Sequence, residues 1–346
     1  MITLGIETSC DETSVAILQN GRKIRSNVVF SSFQEHKKFG GIVPEIASRS
    51  HVEIFLQCLE SSRRKAGILL QDVDLIAVTK GPGLMGSLLV GLSAAKALAL
   101  TLQKPLIGVD HIVAHIYAGI LSEPKLRFPF LGLVVSGGHT LLLRMNSVLD
   151  VKVVGRTLDD AAGEAFDKVA KILALGYPGG PEVDRLSCGE DPKKFFFSRP
   201  LLSKDSLDFS FSGIKTAVYY QVERLKKTKP LSLKTKKQLC AGFQESVCEV
   251  LIHKAVRALK KYGLKTCVVG GGVSANTRLR RLFDAASKKE SFRVVFPQAA
   301  LCQDNGAMIA ALGEALYRAG KRDKLDLAGY AHFTENQQLF FQNGRD

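Results

Sequence analysis

Two stretches of this chain read alike, and that repetition restricts the folds open to it. Leu4-Gly-Ile-Glu-Thr-Ser-Cys-Asp leads into a strand-like run, and so does Leu131-Gly-Leu-Val-Val-Ser-Gly-Gly-His-Thr. Each is an apolar strand, a small polar turn and a second strand. The likeness is one of pattern more than identity. In each half, further strands then alternate with helical segments, which predicts an α/β protein of two related lobes. In such folds the ligand sits at the strand ends, here in the crevice between lobes. At 346 residues and 46% hydrophobic content the chain can bury two cores of ordinary domain size.

Strands are expected at residues 2–6, 14–18 and 23–30, then a helix over 44–66 with Ile46, Val52, Ile54, Phe55 and Leu59 inward. A strand at 75–79 runs into Lys80-Gly-Pro-Gly-Leu-Met-Gly86 and a helix ending near Leu102. Glycine, serine and Lys96 interrupt that apolar stretch, so it reads as a buried helix and not a membrane span. A strand at 105–109 and a helix from His111 follow. The second half predicts strands at 130–136, 140–145 and 151–154 and a helix over 160–175 with Thr157 as its N-cap. Residues 188–209 read as a loop insertion. A helix over 235–262 turns Leu239, Phe243, Val247, Val250 and Leu251 inward. Strands at 266–269 and 293–296 and a helix over 304–319 complete the pattern.

The excess of 48 Lys and Arg over 33 Asp and Glu gives a net charge of +15, which attracts polyanions such as nucleic acid. Basic segments concentrate in the second half: Lys193-Lys194, Arg224 to Lys237, Lys254 to Lys265, Arg278 to Arg281 and Lys288 to Arg293. On one lobe they would make a phosphate-backbone track. Seven cysteines without a CxxC exclude a disulfide framework and a zinc ribbon, and fit a reducing cytosol. The N-terminus has no basic region before its short apolar run and reads as a strand, not a signal peptide.

His111-Ile-Val-Ala-His115 puts two imidazoles on one helical face, close enough to share a metal ion. Ile112 stands where HExxH would carry its glutamate, so a zincin peptidase would lack its base. A third ligand must come from elsewhere. Asp304 is one candidate, and an ordinary helix N-cap is its other reading. Three glycine turns, Ser136–Thr140, Tyr177–Gly180 and Gly270–Asn276, could hold a nucleotide by backbone amides in a chain with no Walker A motif. Glu7, Asp11 and Glu12 gather acidity in the first turn, as metal-adjacent or base-like carboxylates or as a solvated turn. Asp167 and Asp184 flank the second glycine turn and could accept bonds from ribose hydroxyls.

These segments together carry a resemblance: Gly5–Thr13, His36–His51, Lys80–Leu84, Asp110–His115, Val135–Thr140, Asp159–Lys168, Gly176–Pro181, Phe209–Lys215 and Gly270–Asn276. The chain resembles the tRNA N6-adenosine threonylcarbamoyltransferases of the bacterial TsaD type, once labelled glycoproteases, over about residues 1–320 and without departure at a motif position. The resemblance implies an α/β, actin-like and sugar-kinase-like (ribonuclease H-like) duplicated two-lobe fold with an inter-lobe cleft. It places residues 1–110 with 298–330 in an N-terminal lobe, 111–297 in a C-terminal lobe with an insertion, and 331–346 in a tail. It implies a metal, usually iron with zinc possible, on His111, His115 and Asp304. Substrate contacts are implied at Val134, Val135, Ser136, Gly137, Gly138, Asp167, Gly180 and Asn276, with Asp184 a further candidate.

The implied reaction is transfer of threonylcarbamoyl from threonylcarbamoyl-AMP to adenosine 37 of tRNAs reading codons that begin with A. Asp11 and Glu12 are the candidate catalytic carboxylates. TsaB and TsaE are the implied partner proteins, with no membrane and a cytoplasmic setting. The competing reading by fold is an actin-like ATPase or sugar kinase, which would have no need of the histidine pair.

Overall fold

The computed structural model of the chain describes residues 1–332 apart from 124, 203, 204 and 228. It contains, in order, β1 (Ile2–Glu7), β2 (Glu12–Gln19), β3 (Lys23–Ser31), α1 (Phe33–Lys37), α2 (Pro44–Ala66), β4 (Leu75–Gly81), α3 (Met85–Leu102), β5 (Leu106–Asp110) and α4 (His111–Ser122). The second half brings β6 (Phe130–Val135), β7 (Thr140–Met145), β8 (Val151–Arg156), α5 (Ala162–Ile172), α6 (Gly179–Ser187), α7 (Ser212–Lys226), α8 (Leu233–Tyr262), β9 (Thr266–Gly270), α9 (Thr277–Glu290), β10 (Arg293–Val295) and α10 (Gly306–Arg318).

The repeat seen in the sequence is a repeat of topology. One sheet has the order β3-β2-β1-β4-β5 and the other β8-β7-β6-β9-β10. In each, a central strand pairs antiparallel with the strand after it and parallel with a later one: β1 with β2 and β4, β6 with β7 and β9. The edge strand is parallel too, β5 on β4 and β10 on β9. Hairpins give the antiparallel pairs, and helical crossovers give the parallel ones.

The chain divides into two compact units, Met1–Leu126 with Asn146–Val151 and the chain from Pro297 onward, and Arg127–Met145 with Lys152–Phe296. The boundary expected at residue 110 therefore moves to 126. The reason is α4, which follows β5 without a loop and packs against α10 of the first unit. Of the expected tail, residues 333–346 lie outside the described residues, while the segment before it folds onto the first unit. The Asp323 carboxylate accepts the Gly108 N–H at 2.9 Å, and the Tyr330 N–H donates to the Lys80 carbonyl at 2.9 Å.

Several local expectations change. The inward face of α2 is Ala47, His51, Phe55, Cys58, Leu59, Ser62 and Ala66. Val52, expected inside, is 65% exposed: it stands about 100° around the helix from His51, at the margin of the face that packs on the sheet. The apolar helix α3 is not buried all round. Leu88, Gly91, Leu92, Ala95 and Ala99 face inward, while Met85, Leu89 and Leu100 are exposed. It is the one described helix long and apolar enough to cross a membrane by length and composition. Helix α5 begins at Ala162, and Thr157 is not its N-cap: the Thr157 hydroxyl donates to the Asp160 carbonyl at 2.7 Å. Asp159 instead caps α7, a helix absent from the sequence reading. Its carboxylate accepts bonds from the Phe211 and Ser212 amides at 2.8 and 3.2 Å and from the Ser210 and Ser212 hydroxyls at 2.5 and 2.7 Å. The expected apolar face of α8 is fully buried, and residues 188–209 contain no helix or strand among the described residues.

Helix α10 lies against β1, β2 and β4 through small residues. A Cβ on Gly5 would run into the Gly306 carbonyl and Ala310, and one on Gly306 would meet the backbone of Gly5, Val15 and Ala16. The Gly306 N–H donates to the buried Ser14 hydroxyl at 2.8 Å, and Asn305 caps the helix by accepting the Met308 N–H at 3.1 Å. This contact fixes where Asp304, two residues ahead of the helix, comes to rest. Replacing Gly306 with alanine should destabilise the fold by about 1–3 kcal/mol, since backbone and not a flexible side chain must move. Urea midpoints of Gly306→Ala and wild type measure it; equal midpoints would show the contact to be loose.

Candidate active site

Helix α4 carries both histidines of the first unit's candidate metal group. The strand β5 delivers Asp110, whose Oδ1 accepts the Val113 N–H at 2.9 Å and caps the helix. Its Oδ2 accepts the Tyr330 hydroxyl at 2.6 Å, so the segment after α10 holds the same cap. One turn apart, the His111 and His115 rings meet edge to face with centroids 4.7 Å apart.

Asp304 arrives from the other end of the sequence. Its Oδ1 lies 3.5 Å from His111 Nε2 and 3.2 Å from His115 Nε2. Ligand atoms of the three residues all fall within 4.8 Å of one another. Metal–ligand bonds of about 2.0–2.1 Å at tetrahedral angles give ligand–ligand edges of about 3.3–3.4 Å, so the group is sized for one ion. His115 sharpens the fit. Both its ring nitrogens are buried without a hydrogen-bond partner, and the 3.2 Å approach to Asp304 lacks hydrogen-bond geometry. A buried imidazole left without a bond is costly unless a cation takes one nitrogen. The Asp304 side chain remains 18% exposed, which leaves a side of the group open, as in catalytic sites. Asp304 is not the N-cap of α10, a place taken by Asn305.

Behind the ligands stands Glu7, at the end of β1 and fully buried. Its Oε2 is 3.0 Å from His111 Nδ1 and accepts the Thr79 hydroxyl at 2.6 Å, while Oε1 accepts the Ser9 N–H at 2.5 Å. Glu7 thereby orients His111 so that Nε2 faces Asp304, the usual arrangement of a carboxylate behind a metal-binding imidazole. Burial would raise the Glu7 pKa, but the charge and bond of His111 outweigh it and hold the group low. Burial would likewise lower His111, but the charges of Asp304 and Glu7 and the bond to Glu7 push it up to about 9. Asp11 lies in the turn after β1, and Glu12 opens β2 at the end of that turn. Burial, with the charges of Asp304 and Asp11 nearby, raises Glu12 well above the usual carboxylate range. The same causes raise the Cys10 thiol, so it is a poor nucleophile.

The second unit gathers the residues expected to contact substrate. Val134 and Val135 are buried in β6, so they offer backbone only. The turn after them closes through the Ser136 N–H to the His139 carbonyl at 2.9 Å and the His139 N–H to Ser136 Oγ at 3.1 Å. Gly137 and Gly138 stand exposed at its tip, facing open space. The start of α5 lies under this turn, with the Gly163 N–H donating to the Ser136 carbonyl at 3.1 Å, and Gly271 packs against the Val135 carbonyl. Asp167 ties α5 to α6 by accepting the Gly179 N–H at 2.7 Å, which places Gly180 beside it. Asp184 accepts the Thr277 N–H at 3.0 Å and hydroxyl at 2.9 Å. Asn276 caps α9 through the Leu279 N–H at 2.9 Å and donates to Gln244 at 2.7 Å. Asp184 and Asn276 thus build the start of α9, a part that their spacing in the sequence did not reveal.

The model of the family described as tRNA N6-adenosine threonylcarbamoyltransferase matches residues 23–311. A protein of that name from Dictyoglomus turgidum is 52% identical over 330 residues, 95% of this chain and 97% of its own. Another, from Thermosipho africanus, is 51% identical over 92% of this chain and 96% of its own. This chain belongs to the tRNA N6-adenosine threonylcarbamoyltransferase family. It is an acyltransferase of tRNA modification, which sets aside the ATPase and sugar-kinase readings. Among solved structures, full-length HypF in its phosphate- and nucleotide-bound form shares 15% identity at a TM-score of 0.62, over 92% of this chain and 46% of that one. That likeness concerns fold alone and agrees with the actin-like, sugar-kinase-like class that the resemblance implied.

Two residues that the sequence did not single out support the site, Thr79 and Tyr330. Both act through hydrogen bonds between segments far apart in sequence, so no local pattern signals them. Removing the Glu7 charge should weaken metal binding: Glu7→Gln is expected to raise the metal Kd about 10–100-fold. In the wild type, His111 holds a proton below about 9 that an incoming ion must displace. Affinity should therefore fall about tenfold per pH unit from 9 down to 7. Metal titrations at several pH values measure both effects, and a pH-independent Kd would contradict the assignment of His111 Nε2 as a ligand.

Proposed function

We propose that this chain moves a threonylcarbamoyl group from threonylcarbamoyl-AMP to N6 of adenosine 37 in tRNAs that read codons beginning with A, releasing AMP. The observation that carries the reading is the open His111–His115–Asp304 group with an acidic turn of raised proton affinity in the same unit. In the transfer the N6–C bond forms, the C–O bond of the mixed anhydride breaks, and AMP leaves with that electron pair. The amine must also lose a proton. Glu12, once deprotonated, is a carboxylate of unusual basicity, made so by burial and the nearby charges of Asp304 and Asp11, and a stronger base draws the amine proton more readily. Asp11 stands beside it as the second candidate. The ion, iron with zinc as the alternative for this ligand set, supplies Lewis-acid stabilisation of negative charge on an oxygen of the anhydride.

The second unit's turns suit the AMP half. The amides of Gly137 and Gly138 make no hydrogen bond among the described residues and form a nest for the phosphate. Asp167 and Asp184 are the carboxylates we assign to the ribose hydroxyls, while Gly180 and Asn276 shape the adjoining wall. The backbone of Val134 and Val135 sets the turn that Ser136 opens. Arg281, Lys288 and Lys289 on α9 are exposed and support a tRNA phosphate track. Seven free cysteines and a tRNA substrate favour the cytoplasm.

Val52 and Leu56 on α2 and Leu89 on α3 are exposed by 65%, 74% and 53% on two helices that pack together, and we assign them to a surface for a partner protein. TsaB, with TsaE, is the partner we assign. Leu56→Asp should abolish co-elution with TsaB while leaving the fold intact; undiminished co-elution would place the partner elsewhere.

The test of the activity is transfer of threonylcarbamoyl to unmodified tRNA, read by mass analysis of nucleosides. His111→Ala and His115→Ala should each lose metal and lower transfer by at least about 100-fold. Wild-type rates in both would refute the metal's part in the reaction.

A further inference from the structure

Two histidines outside the metal group are buried in the first unit, His36 in α1 and His51 in α2, at 0% and 1% exposure. Neither faces the ion's ligands. Both reach the acidic turn between β1 and β2, and each has its tautomer set by a backbone partner.

His51 Nε2 lies 2.9 Å from the Cys10 carbonyl. A carbonyl only accepts, so Nε2 carries the proton. Nδ1 is then an acceptor, and the Thr13 hydroxyl at 2.7 Å donates to it. His36 is arranged the same way. The Val43 N–H donates to its Nδ1 at 3.3 Å, so Nε2 holds the proton and donates to Ser32 Oγ at 3.0 Å. The Ser32 hydroxyl passes its own proton to the Asp11 carbonyl at 2.9 Å, and the Ser32 N–H meets the same oxygen at 3.0 Å. Two consecutive carbonyls, those of Cys10 and Asp11, are therefore held by two neutral imidazoles approaching from different helices. Burial keeps His51 low, in the neutral state this pattern needs.

Packing does not account for the arrangement. A buried imidazole must have its polar atoms satisfied, and an aliphatic side chain would fill either space without that demand. Here all four ring nitrogens are bonded; the His51 proton goes directly to the Cys10 carbonyl, and the His36 proton goes to Ser32, whose hydroxyl donates to the Asp11 carbonyl. The turn that bears the Asp11 and Glu12 side chains is also held from α3, with the Cys10 carbonyl taking the Ser87 hydroxyl at 3.4 Å and the Leu84 N–H donating to the Ser9 carbonyl at 2.8 Å, so the histidines secure the side that α3 does not reach.

We infer that His51, and His36 through Ser32, are positioning residues that hold the Cys10–Glu12 turn so that its carboxylates meet the amine at the right place. The inference rests on the reading of Asp11 and Glu12 as the working carboxylates. Neither histidine touches substrate or ion in this scheme.

The experiment uses the full chain with its partner proteins, the adenylate and tRNA. It compares kcat, the KM for adenylate, metal content and circular dichroism for His51→Leu, His51→Gln, Thr13→Val, Asp11→Asn and Glu12→Gln. Loss of the bond to the turn in His51→Leu should lower kcat between about tenfold and 100-fold, as a displacement of about 1 Å does, with metal content and KM unchanged. Glutamine places an N–H donor near the position of Nε2, so His51→Gln should recover to within about threefold of wild type. Should His51→Leu fail to fold, Thr13→Val removes only the donor to Nδ1 and should lower kcat with the same split. A folded His51→Leu or Thr13→Val with wild-type kcat, alongside impaired Asp11→Asn or Glu12→Gln, overturns the positioning role and leaves the catalytic turn standing. Wild-type kcat in both carboxylate variants overturns the catalytic turn and the positioning role together.

Discussion

The first unit depends on one close approach, that of α10 to β1. Glycine at residues 5 and 306 lets two backbones meet where no side chain would fit. Ser14 supplies the hydrogen bond that the first amide of α10 needs, and Asn305 caps the turn after it. With the helix seated at that depth, Asp304, two residues ahead of it, comes within reach of both histidines of α4. The metal group is thus a consequence of packing: the ligands are on separate elements, and the small residues of α10 determine how near those elements come.

Charge then makes the group selective about its state. Glu7, His111 and Asp304 alternate in sign across a buried line, with His111 held by an anion on each side. That line fixes the His111 tautomer and favours a cation in its midst. Glu12, in the same surroundings but without a cationic neighbour, shifts in the opposite direction and gains proton affinity. One field therefore divides the labour among carboxylates a few residues apart. The second unit uses no such field. Its candidate site is made of backbone amides and helix starts, tied by Asp167 and Asp184, a construction suited to a phosphate and a ribose.

The duplication explains why both kinds of site occur in one chain. Each unit has the same strand order, and in each the first hairpin turn follows the central strand. In the first unit that turn is acidic, Thr8 to Glu12; in the second it is Ser136 to His139, glycine-rich and uncharged. The same place in two copies of one topology has been given opposite chemistry.

Much was legible in the sequence because it is local. The strand–turn–strand repeat, the helical spacing of His111 and His115, the glycine turns and the buried face of α8 all follow from side-chain period and turn chemistry over a few residues. The motif set also sufficed to place the chain among its relatives. What only the tertiary structure decided involves partners far apart in sequence. Asp304 could be read as a cap or a ligand until α10 was seated. That Asp159 caps α7 and that Asp184 holds the start of α9 came only with the structure. Val52 read as core until the face of α2 was set by the sheet beneath it. Tyr330 and Thr79 gave no local signal at all. A periodic pattern states which face of an element is apolar, but a hydrogen bond between distant segments depends on the depth and angle at which whole elements pack, and those are fixed only when every side chain in the unit is placed at once.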